Sequence, residues 1–212
     1  MDIKAVIFDA DGTIVDSKEF IWQAFEHSLS HHGHPVPVRS HVAASIVGIV
    51  LEDCYMTLAP DGDVLALCDT HREFQKERFD LITAYEGLDD VVALLRSRGI
   101  KLGVCSSRGK TLKPSLNHMG IARHFDAVVD RLDVTNHKPH AEPVLKTLQL
   151  LDVPVSQAVM IGDTPVDIKA GKAAGVALTV GITHGFGTRE MFIEAGADSI
   201  IDSLRELPDL IA

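Results

Sequence analysis

Cysteine is scarce in this chain, with Cys54, Cys68 and Cys105 the only three in 212 residues. The number is odd and no pair has CxxC spacing, so a disulfide framework is excluded and a reduced, cytoplasmic chain is expected. Basic residues are outnumbered, 20 Lys and Arg against 30 Asp and Glu, for a formal net charge of -10. Nucleic-acid backbones and anionic membrane surfaces attract basic proteins, so neither is expected as a main partner. No apolar run approaches the roughly 18 residues that cross a bilayer. Met1 opens almost directly on a strand-like segment, without the basic and then apolar order of a secretory leader. Repeats of fixed period and low-complexity stretches are also missing. What remains is a globular composition, 46% hydrophobic and 24% charged, with length for one large domain or two modest ones. An anionic ligand of so acidic a protein needs a locally positive pocket, and a metal ion can supply that charge.

The chain divides by texture. "KAVIF", Lys4 to Phe8, reads as a strand. From Ile14 the pattern turns helical, with Asp16 or Ser17 as cap and Ile21, Phe25 and Leu29 at four-residue spacing. "HHGHPVPV" breaks that helix. A second helical stretch runs from about His41 into "EDCYMTLA". A third carries Val64, Leu67, Cys68, His71 and Phe74 on one face, with Phe79 and Ile82 beyond. No strand is expected between Val15 and Glu86. From Gly87 onward, short apolar strands ("IKLGVC", "FDAVVD", "AVMIGD", "ALTV", "SIIDS") alternate with helices of about ten residues. That alternation predicts an α/β fold: a Rossmann-like parallel sheet buried on both faces by helices. The expected division is a core of residues 1–14 and 87–212 with an inserted all-helical cap, 15–86.

In open α/β sheets, ligands bind beyond the carboxyl ends of the strands. The first strand delivers Asp9 and Asp11 there, the second Ser106 and Ser107, a later loop Lys138, and the fourth Gly162 and Asp163, with Asp167 four residues on. Each has a plain explanation as a turn, cap or solvated residue; their joint placement at strand ends does not. Clustered carboxylates repel unless a cation joins them, and oxygen ligands suit Mg²⁺. One carboxylate can attack phosphorus. A second, two residues on, can give a proton to the leaving oxygen and later take one from water. Hydroxyl, ammonium and backbone N–H groups can hold the phosphoryl oxygens.

These motifs resemble those of the haloacid dehalogenase-like hydrolase superfamily, in its phosphatase branch with a small helical cap. "DADGT" (Asp9 to Thr13) is similar to its DxDGT motif, "VCSS" to the strand ending in Ser or Thr, "KPHAEPVLKTL" to the lysine motif, and "GDTPVD" (Gly162 to Asp167) to GDxxxD. The order and spacing agree along the whole chain. The resemblance implies a Mg²⁺-dependent phosphatase working through an aspartyl phosphate, with Asp9 as nucleophile and Asp11 as general acid/base. It implies phosphoryl binding by Ser106, Ser107 and Lys138. The metal would be held by Asp9, Asp163 and the Asp11 main-chain carbonyl, with Asp167 and Thr13 behind them. Two departures stand out: Ala141 replaces the second Pro of the usual KPxP, and Ser106 stands where Thr is frequent. Asp11 argues against the dehalogenase and phosphonatase branches, which lack an acid there.

The tail "HGFGTREMFIEAGADSIIDS" resembles phosphoglycolate phosphatases, whereas "KPHAEPVLKTLQLL" is also similar to relatives acting on pyrophosphate or sugar phosphates. The expected partner is a small phosphorylated metabolite, phosphoglycolate-like first, for a monomer or homodimer. A phosphomutase or a regulatory phosphate-binding relative are the other readings, and retention of all five core residues argues against the latter. Substrate-contact candidates in the helical segment are Gly48 to Glu52, Arg39 and Arg72. His31, His32 and His34, with His27 and His41 nearby, suggest zinc, but a solvated, Pro-broken loop accounts for them better. Cys105, on the opposite face from Ser106, is expected in the core.

Overall fold

The computed structural model describes residues 2–39 and 50–212. In chain order it places β1 (Ala5–Phe8), β2 (Val15–Asp16), α1 (Lys18–His31), α2 (Leu51–Leu58), α3 (Val64–Glu77) and β3 (Thr83–Ala84). There follow α4 (Leu88–Ser97), β4 (Lys101–Cys105), α5 (Leu112–His118), β5 (Ala127–Val129), α6 (Glu142–Leu151) and β6 (Ala158–Gly162). The chain ends with α7 (Pro165–Ala174), β7 (Leu178–Ile182), α8 (Arg189–Ala195), β8 (Ser199–Ile201) and α9 (Leu207–Leu210).

Six strands form one parallel sheet in the order β5-β4-β1-β6-β7-β8. Strand alternation splits their side chains between two cores. Val6 and Phe8 join Leu102, Val104, Val159 and Ile161 on one face, under Leu88, Val91 and Leu95 of α4 and Leu112 and Leu116 of α5. Ala5 and Ile7 join Cys105, Ala158 and Met160 on the other, under Val144, Leu148 and Leu151 of α6 and Ala170 of α7. Burial on both faces explains why the strands read as unbroken apolar runs, and Cys105 lies in the core as its alternation predicts.

The consequence for function lies at one edge. β1 is paired on one side with β4 and on the other with β6, with Phe8 opposite both Val104 and Ile161. Asp9, Ser106 and Asp163 are the residues that immediately follow these three strands. They therefore emerge side by side where the order of connections reverses, the usual ligand crevice of such sheets.

Between β1 and α4 the chain builds a second small core from Phe25, Leu29, Cys54, Tyr55, Ala59, Leu67 and Cys68. Three details differ from the sequence expectation. β2 and β3 pair antiparallel, Val15 with Ala84 and Asp16 with Thr83, and tie the two ends of the helical segment together. Strands of two residues carry no periodic signal; only the return of the chain creates them. On α3, Gln75 is buried whereas Phe74 is half-exposed, stacked on His27 with ring centroids 5.0 Å apart. Phe79 sits in a separate 3₁₀ turn, Phe79–Leu81. The helical stretch expected from His41 lies largely outside the described residues, as does Gly48; its described part begins at Leu51.

Candidate active site

Asp9 follows β1, and its own N–H donates to the Ile161 carbonyl at 2.9 Å, so the neighbouring strand fixes its backbone. Its side chain is 9% exposed. Lys138 Nζ donates to Asp9 Oδ1 at 2.6 Å, to Asp167 Oδ1 at 2.6 Å and to the Cys105 carbonyl at 3.1 Å. All three ammonium donors are thereby used. Asp167 is held again from the other side: Thr164 N–H and Oγ1 donate to its Oδ2 at 3.1 and 2.6 Å. This is the reciprocal cap of α7, which has Pro165 in its first turn.

Asp163 is fully buried. Phe186 N–H donates to its Oδ2 at 2.9 Å and Thr13 Oγ1 approaches Oδ1 at 3.4 Å. Two glycines let the loops come this close. Gly12, with φ at 79°, would place a Cβ 2.0 Å from Asp163 Oδ2, and Gly185 would place one 2.3 Å from the same atom. The tight turn after "DAD" and the Gly-rich turn of the tail are thus two sides of one cradle. Ser106 is buried and its Oγ accepts from Arg108 N–H at 3.1 Å; Ser107 lines the same space.

Negative charge is in surplus at this edge. Carboxylate oxygens of Asp9, Asp163 and Asp167 lie within 4.8 Å of one another, against a single lysine. Burial pushes the Asp9 carboxyl up to about 7, with Lys138 pulling it back only in part. Burial also carries Asp163 well above the ordinary carboxylate range, and the nearby Asp9 and Asp167 carboxylates add to it. For Lys138, burial alone would favour the neutral amine, but Asp167 and Asp9 hold it well above its usual value. A donor set made wholly of oxygens, with surplus negative charge in a dry site, fits Mg²⁺. Since both Asp167 oxygens already accept strong hydrogen bonds, Asp9 and Asp163 are the better-placed ligands.

Asp11 sits beside this cluster with its side chain 17% exposed, and Arg108 Nε lies 3.1 Å from its Oδ2. Above them opens a cavity of about 650 Å³ lined by both the sheet edge and the helical segment. On its upper wall Glu52 of α2 accepts from Arg72 of α3 at 2.6 Å and lies 2.8 Å from Arg131 Nη1, which follows β5. Glu52 and Arg72 therefore reach the cavity as expected, whereas Arg39 pairs with Glu19 at 2.8 Å and stacks on Trp22, away from the lining. Arg108 and Arg131 were not anticipated. Both follow strands at the ligand edge, a signal the sequence already held. His27 and His31 are exposed and stack on one another, with His32 edge-on to His31. Among the described residues, the set that converges on one point is the aspartate cluster, not these imidazoles.

The chain is similar to known proteins along its length. The family model described as haloacid dehalogenase-like hydrolase matches residues 6–180. Pyrophosphatase PpaX of Bacillus pumilus is 33% identical, over 99% of this chain and 95% of its own length. The crystal structure of a predicted phosphatase from Clostridium acetobutylicum superposes with a TM-score of 0.87 at 28% identity, covering 100% of this chain and 99% of that one. A predicted phosphoglycolate phosphatase from Haemophilus somnus shares the fold, with a TM-score of 0.91 at 20% identity over 100% and 99% of the two chains.

Proposed function

The chain belongs to the haloacid dehalogenase-like hydrolases, and from that membership we propose that it hydrolyses a small phosphorylated compound through a phosphoryl-aspartate at Asp9, with Mg²⁺ as cofactor. The observation that carries this reading is the double engagement of Lys138 by Asp9 and Asp167 at 2.6 Å. It aims one buried carboxylate at the cavity while Asp163 stands across from it.

In this reading an Asp9 oxygen forms a bond to phosphorus as the bond from phosphorus to the leaving oxygen breaks, and Asp11 gives that oxygen its proton. Water then attacks the same phosphorus, Asp11 takes the water proton, and the bond to Asp9 breaks to release phosphate. Ser106 and Ser107 hold the phosphoryl oxygens, while the charge of Lys138, its donors engaged by Asp9, Asp167 and the Cys105 carbonyl, offsets theirs and positions Asp9. Asp9, Asp163 and the Asp11 carbonyl would hold the cation, which would supply positive charge against that gathered on carboxylates and phosphoryl group. Asp167 and Thr164 orient Lys138, and Thr13 steadies Asp163. The segment 15–86 serves as a cap over the core of residues 1–14 and 87–212, excluding water from the cavity.

Pyrophosphate leads among substrates, because relatives 30–33% identical over nearly the whole chain carry that activity in their names. A phosphoglycolate-like ester follows, favoured by the "HGFGTREMFIEAGAD" tail. The test is phosphate release from a panel of phosphomonoesters and pyrophosphate, with and without EDTA, together with the mass of acid-quenched protein. Mg²⁺-dependent turnover and one added phosphoryl group at residue 9 are expected, both lost in Asp9→Asn by several orders of magnitude. Turnover in metal-free buffer, or near-normal release by folded Asp9→Asn, would overturn the mechanism.

A further inference from the structure

We propose that Arg108 selects the substrate, receiving an anionic group on the leaving side of the scissile bond. The substrates of this chain are then phosphates whose leaving group carries its own negative charge, a second phosphoryl group or a carboxylate. This rests on the phosphatase reading above.

Arg108 differs from the other cations lining the cavity, of which Lys76 pairs with Glu73 and Lys110 is exposed to water. Lys138 spends all three donors on Asp9, Asp167 and the Cys105 carbonyl. Arg72 and Arg131 share Glu52. The Arg108 side chain is only 8% exposed, yet its Nε, Nη1 and Nη2 have no hydrogen-bond acceptor among the described residues. Its remaining contacts are the Asp11 carboxylate, 3.1 Å from Nε, and the Phe20 ring, 5.5 Å from the guanidinium carbon. Asp11 Oδ1 is likewise without a donor. A guanidinium removed from water with its donors idle is costly. An apolar side chain would pack on Phe20 without that cost, so packing does not account for an arginine here.

Position says what would complete it. The transferring phosphoryl group belongs to Asp9, Ser106 and Lys138. Asp11 faces the leaving oxygen, and Arg108 is next to Asp11 and lines the cavity beyond it. Its idle N–H groups therefore meet the leaving group. A guanidinium fork matches two coplanar or geminal oxygens. In pyrophosphate those oxygens sit on the departing phosphorus; in a phosphorylated 2-hydroxy acid they form a carboxylate two bonds from the leaving oxygen. A neutral alcohol offers the fork nothing.

The experiment compares four substrates on Mg²⁺-loaded wild type, Arg108→Gln and Arg108→Lys. Pyrophosphate and phosphoglycolate have anionic leaving groups; 2-hydroxyethyl phosphate and p-nitrophenyl phosphate do not supply the fork with a second anion. Arg108→Gln should lose about 10²–10³-fold in kcat/KM on an anionic-leaving-group substrate and less than about tenfold on the other pair. Arg108→Lys should fall between, keeping charge without the fork. Inhibition by methylenediphosphonate, which is not turned over, should weaken in parallel, and the Tm of Arg108→Gln should hold or rise. Selective loss on pyrophosphate alone identifies a phosphoryl partner, and on phosphoglycolate alone a carboxylate. A loss on 2-hydroxyethyl phosphate as large as that on the two anionic-leaving-group substrates, with p-nitrophenyl phosphate the least affected, overturns the inference and leaves Arg108 as a positioning residue for Asp11. A wild type that turns over none of the four overturns the phosphatase reading and this inference with it.

Discussion

The sheet edge and the helical segment bury polar groups on opposite terms. At the edge, Asp9, Asp163, Asp167 and Lys138 are buried as charge-bearing groups, Lys138 holding Asp9 and Asp167 while Phe186 N–H holds Asp163. In the helical segment, Ser28, Tyr55, His71 and Gln75 are buried as neutral groups. Ser28 Oγ donates to the Leu67 carbonyl at 2.8 Å, Tyr55 Oη lies 2.9 Å from His71 Nδ1, and Gln75 Oε1 accepts from Thr111 at 3.2 Å. The same loss of water therefore moves their titrations apart: it raises Asp9 to about 7 and lowers His71 to about 3. Between about 3.8 and 7, native Asp9 binds more protons than the unfolded chain, so the metal-free edge gains from acid. Between about 6.5 and 3 the unfolded chain binds a proton that native His71 refuses, so the helical segment loses from acid. A divalent cation among the carboxylates favours their ionised form and removes the first effect. The contrast separates a sheet edge that gathers buried charge from a helical interior, around Tyr55 and His71, that keeps its buried groups neutral.

Asp11→Asn sharpens the comparison most, because it removes an edge charge whose proposed metal contact is through the main chain. Activity on an alkyl phosphate should fall about 10²–10⁴-fold. The first step on p-nitrophenyl phosphate should suffer less, since p-nitrophenolate departs without a proton. A rapid-quench burst of p-nitrophenolate followed by slow release is the expected signature; equal loss on both substrates without a burst would reduce Asp11 to a turn residue.

Gly12→Ala attacks the edge through its backbone. The φ of 79° and the 2.0 Å approach of a Cβ to Asp163 Oδ2 leave no room for a methyl group. Asp163 must shift, and the Mg²⁺ concentration for half-maximal activity should rise roughly 10–100-fold. Acid unfolding governed by the helical segment should be unchanged. An unaltered Mg²⁺ requirement would remove Asp163 from the proposed ligand set.

The smallest effect belongs to the helical segment. His71→Gln keeps a polar partner near Tyr55 but cannot take up the proton. In urea titrations of Mg²⁺-loaded protein between pH 6.5 and 4, its stability should fall less steeply with acid than that of wild type. The slopes should differ by up to about 1.4 kcal/mol per pH unit. Identical slopes would show that His71 is not the group that resists protonation.

The amino-acid order alone carried the α/β alternation, the strand ends and the aspartates, serine and lysine at them. Unbroken apolar runs ending in acids are local signals, and a parallel sheet buried on both faces needs just such runs. Arg108 illustrates what stays hidden. Its letter in "VCSSRGK" is visible, but that Asp11 and Phe20 shut it from water without satisfying its donors depends on residues far apart in the chain. The two-residue strands β2 and β3 are hidden for the same reason, since each exists only as the partner of the other.

The chain by itself thus determined which chemistry is available, because period-2 and period-3.6 patterns and strand-end residues are written within a few positions. Tertiary structure alone decided how that chemistry is held. Lys138 is 129 residues from Asp9 and 29 from Asp167, and the Gly185 turn is pressed on Asp163 by packing rather than by sequence neighbours. Distances of that kind, and the burial that shifts Asp9 and His71 in opposite directions, are set only when distant segments expel the water between them.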